Sequence, residues 1–243
     1  MHKKDTMINL LRFLRLLSLV ALALFYIGCS RSYIVPISVS PAQTVYSINK
    51  KIEENIVIVF DKNINNVQKN VKPSSYACSI HNFPVNLDKS LALSIKHTTE
   101  LVFNKVVELD EMPSSEKLQE LNSIAVIYVK LKKFYPEISF VNHIFANCVT
   151  KLDVYVTGIN DEKLLAVEVG GFGESDGSPQ GIIICNGGEL ILSEAISNSI
   201  KDTMEKYATI LSNSSMIRGY FEYHLKNKNG ETIDPPSSSK MPF

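Results

Sequence analysis

The sequence predicts an α+β fold in which two amphipathic helices pack on one face of a largely antiparallel sheet. Two segments repeat apolar residues at helical spacing, and the others alternate in polarity or concentrate β-branched residues. The predicted order is β-β-α-β-β-β-α over residues 55–225, which is the size of a single domain. Packing both helices on one side of the sheet buries both apolar stripes at once.

The predicted strands are runs rich in Val, Ile and aromatic residues that end at turn residues. They cover Asn55–Phe60, Ser75–His81, Ser123–Phe134, Phe140–Thr157 and Leu165–Val169. In the fourth, Leu152, Val154 and Val156 alternate with polar residues and Tyr155, so one face of the sheet is expected to be covered and the other exposed. The last two strands form an antiparallel hairpin around the turn at residues 158–161.

The two predicted helices carry apolar residues at steps of three and four. Asn86 is a plausible N-cap of the first, and its apolar face comprises Leu87, Leu91, Ile95, Thr98, Val102 and Val106. The second helix covers Glu189–Ser212, and its apolar face comprises Leu192, Ile196, Ile200, Met204, Tyr207 and Leu211.

Charge and composition argue against a nucleic-acid partner. The hydrophobic fraction of 45% is that of a globular protein, and the formal net charge is zero. Residues 1–28 hold four basic residues and one acidic residue, a charge of +3, so the remainder carries −3. A mildly acidic body without basic clusters does not suit binding to phosphates.

The amino terminus has the parts of an export signal. Lys3, Lys4, Arg12 and Arg15 form a basic region, and Leu16–Ile27 is an uncharged run of twelve residues. A spanning helix needs roughly 20 apolar residues. Extending the run towards Met7 would bury two arginines, so a cleaved signal is favoured over an uncleaved anchor that holds the same body outside the membrane.

The end of this run resembles a bacterial lipobox. Ile27, Gly28 and Cys29 match the lipobox pattern, whereas Tyr26 stands where an aliphatic residue is usual. The resemblance implies that Cys29 receives diacylglycerol and acyl chains and becomes the first residue of a mature lipoprotein. More than one acyl chain gives stable membrane anchoring. Ser30 resembles the residue after the cysteine in lipoproteins sorted to the outer membrane, on its periplasmic side.

The segments that flank the predicted domain contain few periodic apolar residues. Residues 29–54 are expected to be a tether, with a possible short strand near Tyr33–Val39. Residues 226–243 contain Asn-Gly, Pro-Pro and a serine run, which predict a disordered tail.

With Cys29 assigned to lipid, Cys78, Cys148 and Cys185 remain. An exported protein can keep a disulfide, and three cysteines allow at most one. If one forms, we expect Cys148–Cys185, because both belong to the second half of the core. Buried reduced cysteines are the alternative.

The glycine-rich stretch Gly170–Pro179 is the strongest candidate for a ligand-binding loop. It lacks the Lys-Ser/Thr of a phosphate-binding loop, and Glu174 and Asp176 would repel a phosphate. The same two carboxylates could touch calcium, but the EF-hand ligand pattern is absent. A surface turn is the favoured interpretation.

Other candidates for catalysis or metal binding lack partners in the sequence. His81, His97, His143 and His224 are scattered, and no pair has the spacing of a zinc site. Cys148 has one nearby histidine, His143, and no third group to orient it. The carboxylates Asp110 and Glu111, next to Glu108, are expected to form a solvated acidic cluster.

We therefore expect a protein without catalytic residues, cofactor or metal, which is not an enzyme. The body resembles, in the order of its elements, small envelope lipoproteins such as the lipopolysaccharide-assembly lipoprotein, the YajG type and accessory lipoproteins of secretion systems. That resemblance implies a binding or accessory role in envelope assembly or transport, with an envelope protein as partner. An exposed sheet face or edge strand would bind it. The alternative is an envelope enzyme or small-ligand-binding protein with its site near Gly170–Pro179.

Overall fold

The structure, a computed structural model, describes residues 32–37, 51–178 and 185–228. The strands of these segments are β1 (Ile52–Phe60), β2 (Val67–Val71), β3 (Phe83–Asp88), β4 (Phe103–Leu109), β5 (Ser123–Phe140), β6 (Ile144–Gly158) and β7 (Lys163–Gly177). The helices are α1 (Ser90–Val102), α2 (Ser115–Glu120), α3 (Gly188–Asn213) and α4 (Ser215–Lys228), with a 3-10 turn at Ile64–Asn66.

The central sheet has five strands in the order β4-β1-β5-β6-β7. β1 lies between β4 and β5 and pairs with both in parallel. β5, β6 and β7 form two long antiparallel hairpins. The sheet is therefore mixed, and its antiparallel part is the longer one. A second, antiparallel sheet consists of β2 and β3.

The predicted α+β class is confirmed, including the packing of both amphipathic helices on one face of the sheet. The side chains of α1 and α3 that point to the sheet join one apolar core with those of β1, β5 and β6. Inside it, the Tyr207 hydroxyl of α3 lies 2.8 Å from the Thr99 Oγ1 of α1. This bond satisfies a fully buried hydroxyl and ties the two helices together.

The opposite face of the sheet is covered over part of its width. Leu118 of α2 packs on Val57, Val59 and Val126, which belong to β1 and the first half of β5. Ser114 caps α2, since its Oγ accepts the amide of Lys117 at 3.3 Å. Among the described residues, no element packs on this face of β5–β7 beyond that point.

Two glycines of β7 lie directly under α3. A Cβ added to Gly171 would overlap the carbonyl oxygen of Ser199 and the side chain of Thr203. A Cβ added to Gly173 would overlap the carbonyl oxygen of Ala195 and the amide of Ser199. These positions need glycine because the helix backbone occupies the space of a side chain.

The first helix is shorter than predicted. It ends at Val102, and Phe103 turns to extended backbone (φ −110°, ψ 154°) to begin β4. The prediction that the helical face continues to Val106 is therefore wrong, because Phe103–Leu109 pairs in parallel with β1. Asn86 lies within β3 and is not the N-cap, a position taken by Lys89.

The predicted strand Ser75–His81 is also wrong. This segment forms turns, and the strand that follows it is β3, which pairs with β2. Cys78 adopts a positive φ of 63° and forms a disulfide with Cys185. The predicted pair Cys148–Cys185 is thus wrong in one partner, and Cys148 is a buried free thiol.

Part of the predicted tether contacts the body. Residues 32–37 run beside β3, and the amides of Tyr33 and Val35 donate to the carbonyls of Asn82 (2.9 Å) and Pro84 (3.3 Å). Val35 is buried, and the ring of Tyr33 stacks on Phe83 at 5.3 Å.

The domain extends beyond both predicted boundaries. β1 begins at Ile52, inside the predicted tether, and α4 continues three residues into the predicted tail. The rest of the predicted tail, 229–243, lies outside the described residues.

The glycine at 173 provides a test of the contact between α3 and β7. We expect Gly173→Ala to lower the free energy of unfolding by about 1–3 kcal/mol, because the methyl group forces the helix backbone away. Gly219→Ala is the control: Gly219 lies in α4 with open space around it, and the substitution should stabilise by about 0.5–1 kcal/mol. Urea unfolding of the full chain in detergent measures both. A Gly173→Ala protein as stable as the wild type would contradict the close packing.

Candidate functional site

The uncovered face of β5–β7 is the candidate binding surface, which we call the open face. It carries the side chains that alternate with the buried ones of β6, as the pattern of Leu152, Val154 and Val156 predicted. Two groups of aromatic and apolar side chains lie on it, with a group of charges between them. Along β6 the two apolar groups are about 20 Å apart, at 3.3 Å per residue.

The first apolar group lies in the outer half of the hairpins. Tyr135, Val149 and Phe172 stand side by side on three adjacent strands. Tyr135 is 42% exposed and Phe172 52% exposed. The Lys133 ammonium lies 4.9 Å from the centre of the Tyr135 ring, a cation–π contact. Exposed aromatic side chains held on a rigid sheet are typical anchors of protein interfaces.

The second apolar group lies nearer to the start of β5. The rings of Tyr128 and Tyr155 are 6.2 Å apart, and Ala166 lies next to them on β7. Tyr155 is 41% exposed. The hydroxyl of Tyr128 donates to Asp61 Oδ2 at 3.4 Å, and partial burial together with this carboxylate raises its pKa. This bond fixes the ring against the sheet.

Between the two groups lies a network of charged side chains. Glu168 accepts from Lys132 at 2.7 Å and from Lys151 at 2.6 Å, and Lys132 also lies 3.6 Å from Asp153. The hydrogen bonds from these two lysines lower the pKa of Glu168 to about 2. The bond to Glu168 and the charge of Asp153 raise the pKa of Lys132. The centre of the open face is therefore charged but internally paired.

Helix α3 closes the free edge of β7 over residues 170–174. Asp202 Oδ2 accepts the amide of Phe172 at 3.0 Å, and Lys206 donates to the carbonyl of Gly170 at 3.1 Å. Asn198 donates to the carbonyl of Glu174 at 3.2 Å. These side chains occupy the backbone groups that an added strand would need, so β-augmentation is blocked there.

The opposite edge of the sheet is β4. Lys105 and Glu108 are exposed on this strand, and Glu108 pairs with Lys96 of α1 at 3.2 Å. Charged side chains on an edge strand discourage pairing with another chain. Of the two predicted binding modes, the open face is favoured over an edge strand.

The predicted loop Gly170–Pro179 is a strand as far as Gly177, so its interpretation as a surface turn is wrong. Glu174 and Asp176 point away from α3 at the outer end of β7, opposite Asn147 and Phe145. A shallow depression of about 420 Å³ lies beside Gly170, lined also by Glu168, Asp202 and Lys206. Of its polar side chains, Asp202 and Lys206 bind the edge of β7, and Glu168 belongs to the charge network of the open face.

The histidines have separate local partners. His97 is exposed on α1, with Nδ1 3.0 Å from Glu100. His81 packs edge-on against Tyr33 at 5.4 Å, and His143 is exposed in the β5–β6 turn. His224 lies 4.5 Å from Tyr220, where burial lowers its pKa.

Two remaining candidate groups are also placed by the structure. Asp110 and Glu111 are exposed after β4, as expected of a solvated acidic cluster. Within residues 32–37, 51–178 and 185–228, no cluster of three or more His, Cys, Asp or Glu side chains could bind a metal ion.

Cys148 lies on the helix-facing side of β6, fully buried under α3. Its sulfur is 4.0 Å from Thr150 Oγ1, which in turn accepts from Ser199 at 2.9 Å. Burial raises the pKa of the Cys148 thiol to about 11. His143, its predicted neighbour, is exposed at the turn, so Cys148 is a core residue in an arrangement unsuited to a nucleophile.

The predicted lipidation residue, Cys29, lies outside the described residues. Among the helices that the structure describes, none combines the length and apolar character that a membrane span requires.

Comparisons with known proteins give likenesses of fold. No protein-family model and no curated protein matches the sequence. The structure is similar to the protein XCC0632 from Xanthomonas campestris, with a TM-score of 0.46 and 11% identity, over 80% of this chain and 99% of that one. For the hypothetical protein CT253 from Chlamydia trachomatis the TM-score is 0.40 and the identity 11%, over 67% and 97%.

The fold is also similar to a minor lipoprotein from Acinetobacter baumannii, with a TM-score of 0.35 and 8% identity, over 67% of this chain and 92% of that one. Lipoproteins of the bacterial envelope are thus among the structural neighbours. At these TM-scores the likenesses carry no argument about function, which has to rest on the residues of this chain.

The sequence could not show which strands lie beside each other, so the grouping of Tyr135 with Phe172 was missed. The alternation over residues 151–157 was the available signal, and it indicated only that one face of β6 is exposed. Asp202 and Lys206 were also missed, since a charge pair on a helix does not reveal the strand edge that it meets.

Glu168 provides a test of the charge network. Its folded-state pKa, about 2, is lowered from an ordinary value near 4.3, so its contribution to stability is present above about pH 4.3 and is lost as the pH falls towards 2. We expect the unfolding midpoint of the wild type to fall more steeply over this interval than that of Glu168→Gln. The difference should shrink in about 1 M salt. Parallel curves for the two proteins would contradict the pairing.

The cysteine pairing predicts thiol reactivity. In an oxidised Cys29→Ala chain, only Cys148 is a free thiol. At pH 8 it should react with a thiol reagent about 100-fold or more slowly than in denaturant, because raised pKa and burial remove the thiolate. Adding Cys148→Ala should leave no reactive thiol in denaturant, whereas adding Cys78→Ala should leave two. Two reactive thiols remaining after Cys148→Ala, from Cys78 and Cys185, would refute the Cys78–Cys185 bond.

Proposed function

We propose that the chain is a lipid-anchored lipoprotein of the bacterial outer membrane, facing the periplasm, which binds a protein partner in envelope assembly or transport and is not an enzyme. The observation that carries the binding role is the open face, with its two aromatic groups on either side of a charge network. The lipobox-like Tyr26–Cys29 supports the anchor. Acylation at Cys29 keeps the body at one membrane and so raises its local concentration near partners there.

The open face suits a folded protein as its partner. It is a firm surface, because β5, β6 and β7 are hydrogen-bonded along most of their length. Tyr135, Phe172 and Tyr155 supply rigid aromatic area with few rotatable bonds, so ordering them on binding costs little entropy. The charges between them can select a partner with a complementary pattern, because a mismatched charge would be left unpaired in the contact.

The polar groups near the alternative site have structural partners. Asp202 and Lys206 contact each other at 2.7 Å and hold the edge of β7. Gly171 and Gly173 make room for α3. These contacts account for the glycine-rich sequence without a ligand, and they favour the binding role over a small-molecule site.

The anchor and the open face can be tested in one experiment in the native bacterial host. The photo-crosslinking residue benzoylphenylalanine is placed at Phe172, at Tyr155 or at Met216. Met216 lies on α4, on the helix side, and at 42% exposed it matches Tyr155 at 41%. Intact mass and membrane fractionation are measured for the wild type and for Cys29→Ala.

We expect the wild type to lack residues 1–28, to carry acyl mass and to sediment with the outer membrane, whereas Cys29→Ala should do none of these. Phe172 and Tyr155 should give an adduct of the same mass, which Met216 does not give. An acylated protein with equal adducts at all three positions, or with none, would refute binding through the open face. A wild type that keeps Met1 and stays in the inner membrane would refute the lipoprotein assignment.

A further inference from the structure

One end of the sheet is surrounded by exposed apolar side chains. It is the end at which the β5–β6 hairpin turns, at residues 141–143. Ile34, Tyr76, Ile80 and Val141 are 79%, 97%, 58% and 77% exposed. These values exceed those of Tyr155 and Phe172 on the open face, so this is the most exposed apolar group that the described residues hold. We call these four side chains the apolar end.

Direct contacts bring the segments of the apolar end together. The amide of Ser74 donates to the carbonyl of Ile138 at 2.9 Å, and the amide of Phe140 donates to Ser75 Oγ at 2.8 Å. Tyr76 and Val141 each follow directly after these contacts. The segments that carry these two exposed side chains are therefore held together at this end of the sheet.

The segment that holds Ile34 is tied to the same place. Tyr33 donates its amide to the carbonyl of Asn82 and packs its ring edge-on against His81, the residue after Ile80. Tyr33 and Val35 point into the body, so Ile34 between them points outward. The disulfide of Cys78 with Cys185 fastens the loop that carries Tyr76 and Ile80.

The apolar end is also where the chain enters the body from Cys29. Ser32 forms a bridge with Asn82 and is three residues from Cys29. Three residues of extended chain span at most about 11 Å. The lipid on Cys29 can therefore lie no farther than this from the docked segment, far less than the reach of the predicted 26-residue tether over 29–54.

The charges around this end suit a membrane surface. Residues 32–37, 72–82 and 141–143 contain no Asp or Glu, and Lys72 is exposed among them. Carboxylates lie nearby at Asp176, which is opposite Phe145 next to the hairpin turn, and at Glu189, which follows Gly188 beside Phe140. An apolar surface with a basic residue is attracted to anionic lipid, which a carboxylate would oppose.

We propose that the apolar end lies on the phospholipid bilayer to which Cys29 is anchored, with Tyr76, Ile80, Val141 and Ile34 inserted at the boundary of headgroups and acyl chains. The proposal rests on the acylation of Cys29 and adds to it a fixed orientation of the body. Tyrosine is enriched at this boundary because its ring is apolar and its hydroxyl stays wet. The acyl chains and the inserted side chains then contact the membrane at several points of the same body, and this fixes its orientation.

Tryptophan fluorescence can test the orientation, because the chain contains no tryptophan. Tyr76→Trp and Tyr155→Trp replace two exposed tyrosines that lie roughly 40 Å apart along the strand direction, at 3.3 Å per residue. The full-length precursor is expressed and the acylated protein is purified from membranes. The protein is reconstituted into phosphatidylethanolamine–phosphatidylglycerol vesicles with brominated acyl chains. The intact mass of the protein is measured to verify acylation. Val141→Trp serves as a second reporter in case Tyr76→Trp does not fold.

We expect bromine to quench Tyr76→Trp and Val141→Trp about threefold more than Tyr155→Trp, since interfacial side chains lie about 5–10 Å into the headgroup–acyl boundary. Their emission should shift to the blue on addition of vesicles. Equal quenching of all three variants in acylated protein would overturn the orientation and leave the lipoprotein assignment standing. A protein without acyl mass would overturn both.

Discussion

Helix α3 lies so close to β7 that the carbonyl oxygens of Ser199 and Ala195 occupy the space that side chains would take at Gly171 and Gly173. Since no other residue fits under the helix, these two glycines set the distance between the helix layer and the sheet. At that distance the side chains of Asp202 and Lys206 reach the backbone of β7 and close its edge. The same contact buries Cys148 and raises its pKa.

The helices close one side of the sheet in this way, and the other side stays largely exposed. α1, α3 and α4 take up the apolar side chains of one sheet face, and α2 covers only the part of the opposite face near β1. The side chains of β5–β7 that point to the open face therefore have to be compatible with exposure to solvent. Paired charges such as Lys151 with Glu168 meet that requirement, whereas Phe172 and Tyr155, exposed on either side of these charges, do not. Exposed aromatic residues in a face that is otherwise well paired are more readily explained by binding than by folding.

Much of the fold could be predicted from local pattern. The helical stripe of Leu192 to Leu211 and the alternation around Val154 each follow from the period of one element, and the structure confirms both. Phe103–Leu109 could not be predicted in the same way. Val102 and Val106 satisfy a helical spacing, but parallel pairing with the distant β1 overrides it.

The errors in the candidate site have a similar cause. Glycines suit a turn and also suit a strand under a close helix, because both require the absence of a Cβ. Only the register of β7 against α3 distinguishes the two for Gly171 and Gly173. Likewise, sequence spacing carries no information on which cysteines meet, since Cys78 and Cys185 are separated by 107 residues.

With the apolar end on the membrane, Tyr135 would stand about 16 Å and Tyr128 about 40 Å above it, at 3.3 Å per residue of β5. The open face would then extend away from the bilayer, so a protein that contacted both aromatic groups would have to reach about 40 Å from the membrane surface.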